Sequence, residues 1–155
     1  MSLLPERVLM GLSKSPDIIH KGIRLQIQPN KATCTQTCLA MALGVPVEMV
    51  LDVYGDKAMS SQALLGALRE CKTLYDRSDS FVADGWYFAQ APSLNIRGGM
   101  HTMLIHFELG EGLRVFDPNR RRKHCYYYAG DGGDLKTWGR LIYFRPGGEL
   151  PKKRQ

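Results

Sequence analysis

Helical patterns come first along this chain and strand patterns second, and this order does most to narrow the possible folds. Three segments between residues 33 and 71 have helical character: Thr33 to Leu43, Val47 to Tyr54 and Ser60 to Cys71. The segments with strand character after residue 100 are His101 to Leu109, Leu113 to Phe116 and Leu141 to Phe144. Helices followed by strands predict an α+β domain in which N-terminal helices pack on a C-terminal antiparallel sheet.

Turn-forming and capping residues set the ends of these segments. The first helix is expected to end near Gly44 and Pro46, and the second at Gly55. Ser60 is a candidate cap for the third helix. Gly110-Glu-Gly112 predicts a hairpin turn between two of the strands.

Two further strands are predicted from shorter patterns. Ile23 to Gln28 alternates apolar and polar residues and stops at Pro29-Asn30. Phe81 to Phe88 has strand composition interrupted at Gly85, and its Trp86, Tyr87 and Phe88 belong either to a groove or to the core.

The length of 155 residues predicts a single domain over 1–155, with 1–20 and 147–155 peripheral or flexible. A chain that is 44% hydrophobic and 23% charged is neither wholly disordered nor fibrous. The apolar stretch from Leu39 to Leu51 is too short to span a bilayer, and the N-terminus lacks a signal-peptide pattern. Four unevenly spaced cysteines then favour reduced thiols in a cytoplasmic protein.

The net charge of +6 comes largely from two basic runs. The first is Arg120, Arg121, Arg122 and Lys123, which could bind an acidic partner, and the second is Lys152-Lys153-Arg154. A solvated loop and a frayed terminus would explain the same residues. No nucleic-acid motif accompanies either run, so nucleic acid is not the expected partner.

Cys34 lies at the predicted start of the first helix, where the helix dipole favours a thiolate. The dipole contributes roughly 0.3 to 1 kcal/mol, less than one pKa unit, so strong activation needs a nearby imidazole. The alternative is a small buried hydrophobic residue. Cys38, one turn later, is expected in the core, and Cys71 and Cys125 are expected to be inert.

The two helix cysteines could instead bind zinc, in a site formed by Cys34, Cys38, His101 and His106. The two histidines are five residues apart on a predicted strand, so they face opposite sides of the sheet. The separation between the cysteine and histidine pairs is also far longer than a short zinc loop. No metal or other cofactor is therefore expected.

His101 and Asp117 are expected at the same end of the predicted hairpin. His101 opens one strand, Asp117 ends the next, and the turn position places Asp117 opposite about Leu104, within about three residues of His101. A carboxylate there could orient the imidazole, although Asp-Pro also forms turns. Gln28 precedes Cys34 by six residues, and its amide could donate to an oxyanion beside the helix N-terminus.

The segment from Gln28 to Met41, with the sequence QPNKATCTQTCLAM, resembles the active-site segment of the bacteriocin-processing, double-glycine peptidases, a papain-like family. His101-Thr-Met-Leu-Ile105 and Val115-Phe-Asp117-Pro118 resemble the family's histidine and Asp-Pro segments, with the family's separation of sixteen residues. Thr35 departs from the pattern, because the family has glycine there. The resemblance covers about residues 23 to 118.

The resemblance implies a papain-like cysteine peptidase that acts on a protein or peptide substrate. It assigns Cys34 as the nucleophile, His101 as general base and then acid, Asp117 as the residue that orients His101, and Gln28 as the oxyanion donor. Glutamine deamidation or transglutamination begins with the same step and stays open. A catalytically silent papain-like binding module is a further alternative.

Overall fold

The computed structural model of this chain describes residues 18–92, 100–119, 126–128 and 140–152. The helices of this part are α1 (Cys34–Leu43), α2 (Val47–Tyr54) and α3 (Ser61–Glu70). The strands are β1 (Ile19–His20), β2 (Ile23–Arg24), β3 (Tyr75–Ser78), β4 (Gly85–Pro92), β5 (Met100–Glu108), β6 (Gly112–Phe116), β7 (Tyr126–Tyr128) and β8 (Arg140–Phe144). The fold is therefore mixed α+β, as predicted.

The three predicted helices are confirmed to within one residue at each end. Gly44 ends α1 in the left-handed conformation, with φ of 72°, which glycine adopts without a steric penalty. Ser60 caps α3, because its hydroxyl accepts a hydrogen bond of 3.1 Å from the backbone N–H of Ala63.

Helix α1 is buried on all sides rather than along one stripe. Every residue from Cys34 to Ala42 is buried, including the polar Thr35, Gln36 and Thr37. Two of the buried polar side chains donate to backbone carbonyls: Thr37 to that of Thr33 at 2.7 Å, and the Gln36 amide nitrogen to that of Gly55 at 3.2 Å. α1 is therefore an internal helix, with Cys34 at its amino end.

Six strands form one antiparallel sheet in the order β3-β8-β4-β5-β6-β7, and β1 and β2 form a separate pair. The predicted hairpin is confirmed, since β5 and β6 pair with Glu108 opposite Gly112 and Leu104 opposite Phe116. This register places Asp117 one residue nearer to His101 than the sequence predicted.

Two predicted strands differ from the structure. Ile23 to Gln28 is a strand only at Ile23–Arg24. Leu25 N–H still donates to Ile18 O in the register of the β1–β2 pair, whereas Gln28 N–H donates to Pro118 O after β6, both at 2.8 Å. The predicted Phe81 to Phe88 strand begins at Gly85 and continues to Pro92. Gly85 starts this strand rather than interrupting it. A side chain at this position would be too close to the Tyr143 ring, because a Cβ would lie 2.8 Å from it.

The sheet has an apolar cluster on each face. The helices cover one face, where Phe88, Leu104 and Phe144 contact them, and Tyr87, Met103 and Ile105 belong to the cluster on the other face. Trp86, Tyr87 and Phe88 are all buried, so they belong to the core and not to an open groove.

The C-terminal segment contacts the helical layer. Gly147 N–H donates to Ala42 O at 2.8 Å, Glu149 N–H donates to Cys71 O at 2.9 Å, and Leu150 packs against the core. The predictions for 1–17, for the run Arg120 to Lys123, for Cys125 and for 153–155 fall outside the described residues. Within the described ranges no single helix is long and apolar enough to cross a membrane; α1 and α2 pass only as a pair bent by 118°.

Candidate active site

Cys34 is the first residue of α1, as predicted, and its side chain is at the amino end of the helix. The turn before it is held by Asn30, whose Oδ1 accepts from Ala32 N–H at 2.8 Å and whose carbonyl accepts from the Thr33 hydroxyl at 3.1 Å. The first turn of α1 has no acidic residue. The positive end of the helix dipole is therefore available to a negative charge on the Cys34 sulfur.

His101 and Asp117 form a buried pair at the end of the β5–β6 hairpin. His101 Nε2 lies 2.7 Å from Asp117 Oδ1, and Asp117 is fully buried. The same oxygen accepts a hydrogen bond of 2.9 Å from the backbone N–H of Asn119, which fixes the carboxylate within its own turn. Since Nε2 is bound to Asp117, Nδ1 is the ring nitrogen left for another partner.

That other partner is Cys34, which comes from the helical half of the chain. Burial by itself raises the pKa of the Cys34 thiol. Hydrogen bonds from His101, from the Thr102 N–H and from Thr35, with the charge of the imidazolium, outweigh burial and lower the pKa below the ordinary thiol value. The Cys34 thiol, the His101 imidazole and the Asp117 carboxylate are therefore in one contiguous cluster.

The same contacts keep His101 protonated. Burial acts to lower the pKa of this histidine, but the hydrogen bonds with Asp117 and with Cys34, together with their negative charges, raise it to about 9. A thiol with a lowered pKa beside an imidazole with a raised pKa favours the thiolate–imidazolium form of the pair. In that form the sulfur is negatively charged and the imidazole carries a proton on both ring nitrogens.

Thr102 of β5 forms hydrogen bonds with both cysteines of α1. Its backbone N–H donates to Cys34 Sγ at 3.4 Å, and its carbonyl accepts from Cys38 Sγ at 3.5 Å. Cys38 is fully buried in the core, as predicted, and burial together with the neighbouring Cys34 raises its pKa well above the ordinary value. The backbone of Thr102 therefore contacts two cysteines whose pKa values are shifted in opposite directions.

A chain of buried side-chain hydrogen bonds leads to the sulfur. Ser61 Oγ donates to Gln90 Oε1 at 2.5 Å, Gln90 Nε2 donates to Thr102 Oγ1 at 3.5 Å, and Thr102 Oγ1 lies 2.8 Å from Thr35 Oγ1. A thiolate can only accept, so the Thr35 hydroxyl, 4.0 Å from Cys34 Sγ, is the donor to the charged sulfur. With its one hydrogen used in this way, Thr35 accepts from the Thr102 hydroxyl.

Gln28 lies beside both halves of the cluster. Its backbone N–H donates to Pro118 O, next to Asp117, and its Nε2 donates to Asn30 O at 2.9 Å, in the turn before Cys34. The side chain is buried, which excludes a strand-end residue exposed to water. Nε2 has two hydrogens, so one is left after the bond to Asn30.

His106 is separated from this cluster, as its position on β5 predicted. Its ring centroid lies 4.9 Å from that of His20 and 5.0 Å from that of Trp86, on the helix-facing side of the sheet. In the described ranges no three His, Cys, Asp or Glu side chains are grouped so that they could bind a metal ion. The four proposed zinc ligands therefore do not converge.

Several residues of the cluster were not identified from the sequence. Thr102 follows His101 directly, and Asn119 follows the Asp-Pro turn by one residue, so adjacency and turn chemistry could have found both. Thr35 was noted only as a departure from the glycine pattern. No local signal connects Ser61 and Gln90 to the site, because their contacts join residues 29 positions apart.

No family model matches the chain, and no curated protein matches it significantly.

Proposed function

We propose that this chain is a thiol-dependent hydrolase that cleaves a peptide or isopeptide bond through an acyl-enzyme. The supporting observation is the position of the His101 ring, which is bonded to buried Asp117 through Nε2 and hydrogen-bonded to Cys34. The lowered pKa of Cys34 and the raised pKa of His101 match a nucleophile and a general acid. We include in this proposal the papain-like fold that the sequence motifs imply.

Acylation would begin with attack of the Cys34 thiolate on the carbonyl carbon. An S–C bond forms and the carbonyl oxygen becomes an oxyanion, which the Cys34 backbone N–H and the second N–H of Gln28 Nε2 would hold. His101 then gives its proton to the amine nitrogen as the C–N bond breaks. The amine leaves neutral, and His101 is left as the neutral imidazole.

Water would complete the cycle. Neutral His101 takes a proton from water as the oxygen attacks the thioester carbonyl, and collapse of the second oxyanion breaks the S–C bond. The acid product leaves and the thiolate–imidazolium pair is regenerated. Asp117 keeps the ring oriented through both steps and stabilises its charged form.

Glutamine deamidation and transglutamination share the acylation step. In those reactions the leaving group is ammonia, and the acceptor is water or a lysine amine. Ammonia release from glutamine peptides would identify them, and new protein N-termini would identify peptide cleavage.

The proposed function is tested by combining thiol labelling with product analysis. Limited iodoacetamide at neutral pH should modify Cys34 ahead of Cys38, Cys71 and Cys125, as read by peptide-resolved mass spectrometry. A comparison of protein N-termini in lysate treated with wild type or Cys34→Ala should give new termini only with wild type. Cys38→Ala is the matched control and should keep cleavage, because it removes a buried sulfur from the core.

The alternative outcomes separate the remaining possibilities. Cys34 labelling without any acyl-transfer product would favour a catalytically silent binding module. Equal loss of activity in Cys34→Ala and Cys38→Ala, with recovery of Cys38→Ala on adding zinc, would favour a metal site instead.

A further inference from the structure

A cavity separate from the catalytic cluster lies between the start of α3 and the β3–β8 edge of the sheet. Its volume of about 350 Å³ is in the range of sites that accept a side chain or small ligand. The residues that line it include Arg77 on β3, Arg140 on β8, Ser61 on α3 and the acidic residue Asp79.

The two arginines are on the same face of the sheet. Arg77 pairs with Ile142, and Arg140 precedes Ile142 by two residues, so the alternation of side chains puts both arginines on one side. Among the described residues neither guanidinium forms an ion pair. Two arginines and one aspartate give the cavity a formal charge of +1 at neutral pH, which suits a single carboxylate better than a dianion such as phosphate.

Apolar residues complete the lining. Leu65 of α3, Leu141 and Ile142 contribute to the wall and are all buried. They would contact the methylene groups of an acidic side chain while the guanidinium groups bind its carboxylate.

A row of paired residues across the sheet connects the cavity with Thr102, which contacts the catalytic sulfur. Thr102 pairs with Gln90 across β5 and β4, and Gln90 pairs with Arg140 across β4 and β8. Neighbouring strands are about 4.8 Å apart, so Arg140 lies about 10 Å across the sheet from Thr102, whose N–H contacts Cys34. Gln90 and Thr102 are buried, so a substrate would pass beside this row rather than along it. An extended peptide advances about 3.4 Å per residue, so it needs at least about three residues to span the distance.

From this geometry we propose that the cavity is a specificity site for an acidic side chain of the peptide substrate, with Arg77 and Arg140 binding its carboxylate at least about three residues from the scissile bond. The proposal rests on the proposed peptidase function for its substrate, but the carboxylate binding itself does not require turnover. Ser61 lies at the junction, because it lines the cavity and donates to Gln90 in the chain that leads to Cys34.

Binding is tested first, on the full chain carrying Cys34→Ala so that no cleavage occurs. The probes are acetylated tetrapeptide amides of alanine with one Asp placed at each position in turn, each compared with the same peptide carrying Asn. Titration followed by NMR of the arginine side-chain N–H signals should show at least one Asp peptide binding about tenfold more tightly than its Asn partner. Adding Arg77→Gln and Arg140→Gln together should abolish that difference.

Matched variants separate the cavity from general charge effects. Arg69→Gln changes the net charge equally at the far end of α3 and should keep the preference for Asp. Arg77→Lys with Arg140→Lys keeps both positive charges and should retain part of the preference. Folding of each variant is checked by thermal melting.

Turnover is tested second, with fluorogenic peptide amides that carry Asp or Asn at the position selected by binding. Wild type should prefer Asp about tenfold in kcat/KM, and Arg77→Gln with Arg140→Gln should remove the preference. Equal binding of every Asp and Asn pair, or a preference that survives loss of both arginines, overturns the cavity proposal. Selective Asp binding without any cleavage overturns the peptidase function and leaves the carboxylate site standing.

Discussion

Replacement of Asp117 by asparagine removes the charge of this residue and keeps its shape. The Asn side-chain oxygen can still accept from His101 Nε2 and from the Asn119 N–H, which Asp117 Oδ1 binds at 2.7 and 2.9 Å. The ring orientation should therefore persist, and what changes is the electrostatic stabilisation of the imidazolium. Asp117→Ala removes the acceptor as well and should be the more damaging variant.

The magnitude follows from the titration of His101. Its pKa is raised from 6.5 to about 9, and among the causes that raise it the hydrogen bond with Asp117 comes ahead of the contact with Cys34. Loss of the carboxylate charge should therefore lower the pKa of His101 by at least about one unit, which is about 1.4 kcal/mol. The alkaline limit of turnover, where the general acid loses its proton, should move down from about pH 9 by the same amount. Activity should fall less than in Cys34→Ala.

The assay follows the His101 ring protons by NMR across pH in wild type, Asp117→Asn and Asp117→Ala. Iodoacetamide labelling of Cys34 over the same pH range reports the thiolate, which should form at higher pH when its imidazolium partner is weakened. Asp84→Asn, an exposed change of the same kind, is the control. An unchanged His101 titration in Asp117→Asn would refute the electrostatic role, and full activity in Asp117→Ala would make Asp117 a turn residue only.

Three further predictions concern other parts of the molecule. Gln28→Ala should reduce turnover by about a hundred- to a thousandfold, the usual effect of losing one oxyanion donor, while Cys34 alkylation stays near the wild-type rate. Gly148→Ala should lower the melting temperature, because a Cβ there would lie 2.7 Å from the carbonyl oxygen of Cys71. Burial, followed by neighbouring positive charges, lowers the pKa of both His20 and His106 below 6.5. The stability that the neutral rings contribute above pH 6.5 should therefore be lost as the pH falls below 6.5. His106→Phe should reduce that loss in melting experiments.

Each of these predictions has its own contrary result. Normal turnover in Gln28→Ala would remove Gln28 from the oxyanion site. Gly147→Ala is the control for Gly148→Ala, since φ at Gly147 is also positive, at 122°, but nothing lies within 4 Å of its Cβ position. Equal melting temperatures in these two variants would contradict the steric explanation. An acid-induced loss of stability that is unchanged in His106→Phe would exclude His106 as its source.

Local patterns were enough to predict the helices and the hairpin that holds two of the candidate catalytic residues. Cys34 was placed at a helix start because Pro29 to Thr33 forms a turn and an apolar helical pattern follows. Asp117 was placed near His101 because a tight hairpin turn sets the register of both its strands. Both inferences depend on residues close together in sequence.

Other strands could not be predicted from local sequence patterns. Tyr75–Ser78 pairs with Arg140–Phe144, and its sequence has too little apolar alternation to predict a strand alone. Ile23 to Gln28 does alternate, but its pairing with the short β1 segment ends at Leu25, and Gln28 N–H donates to Pro118 O instead. Strand formation depends on the neighbour as well as on the segment.

The sequence by itself determined which residues could do thiol chemistry: a cysteine at a helix start, and a histidine and an aspartate brought together by one hairpin. Only the tertiary structure decided that α1 meets β5 at Thr102, so that Cys34 contacts an imidazole 67 positions away along the chain. The same packing buried Gln28 and placed Arg77 and Arg140 around one cavity. These contacts join distant segments, and their geometry depends on how whole elements pack together, which no local pattern encodes.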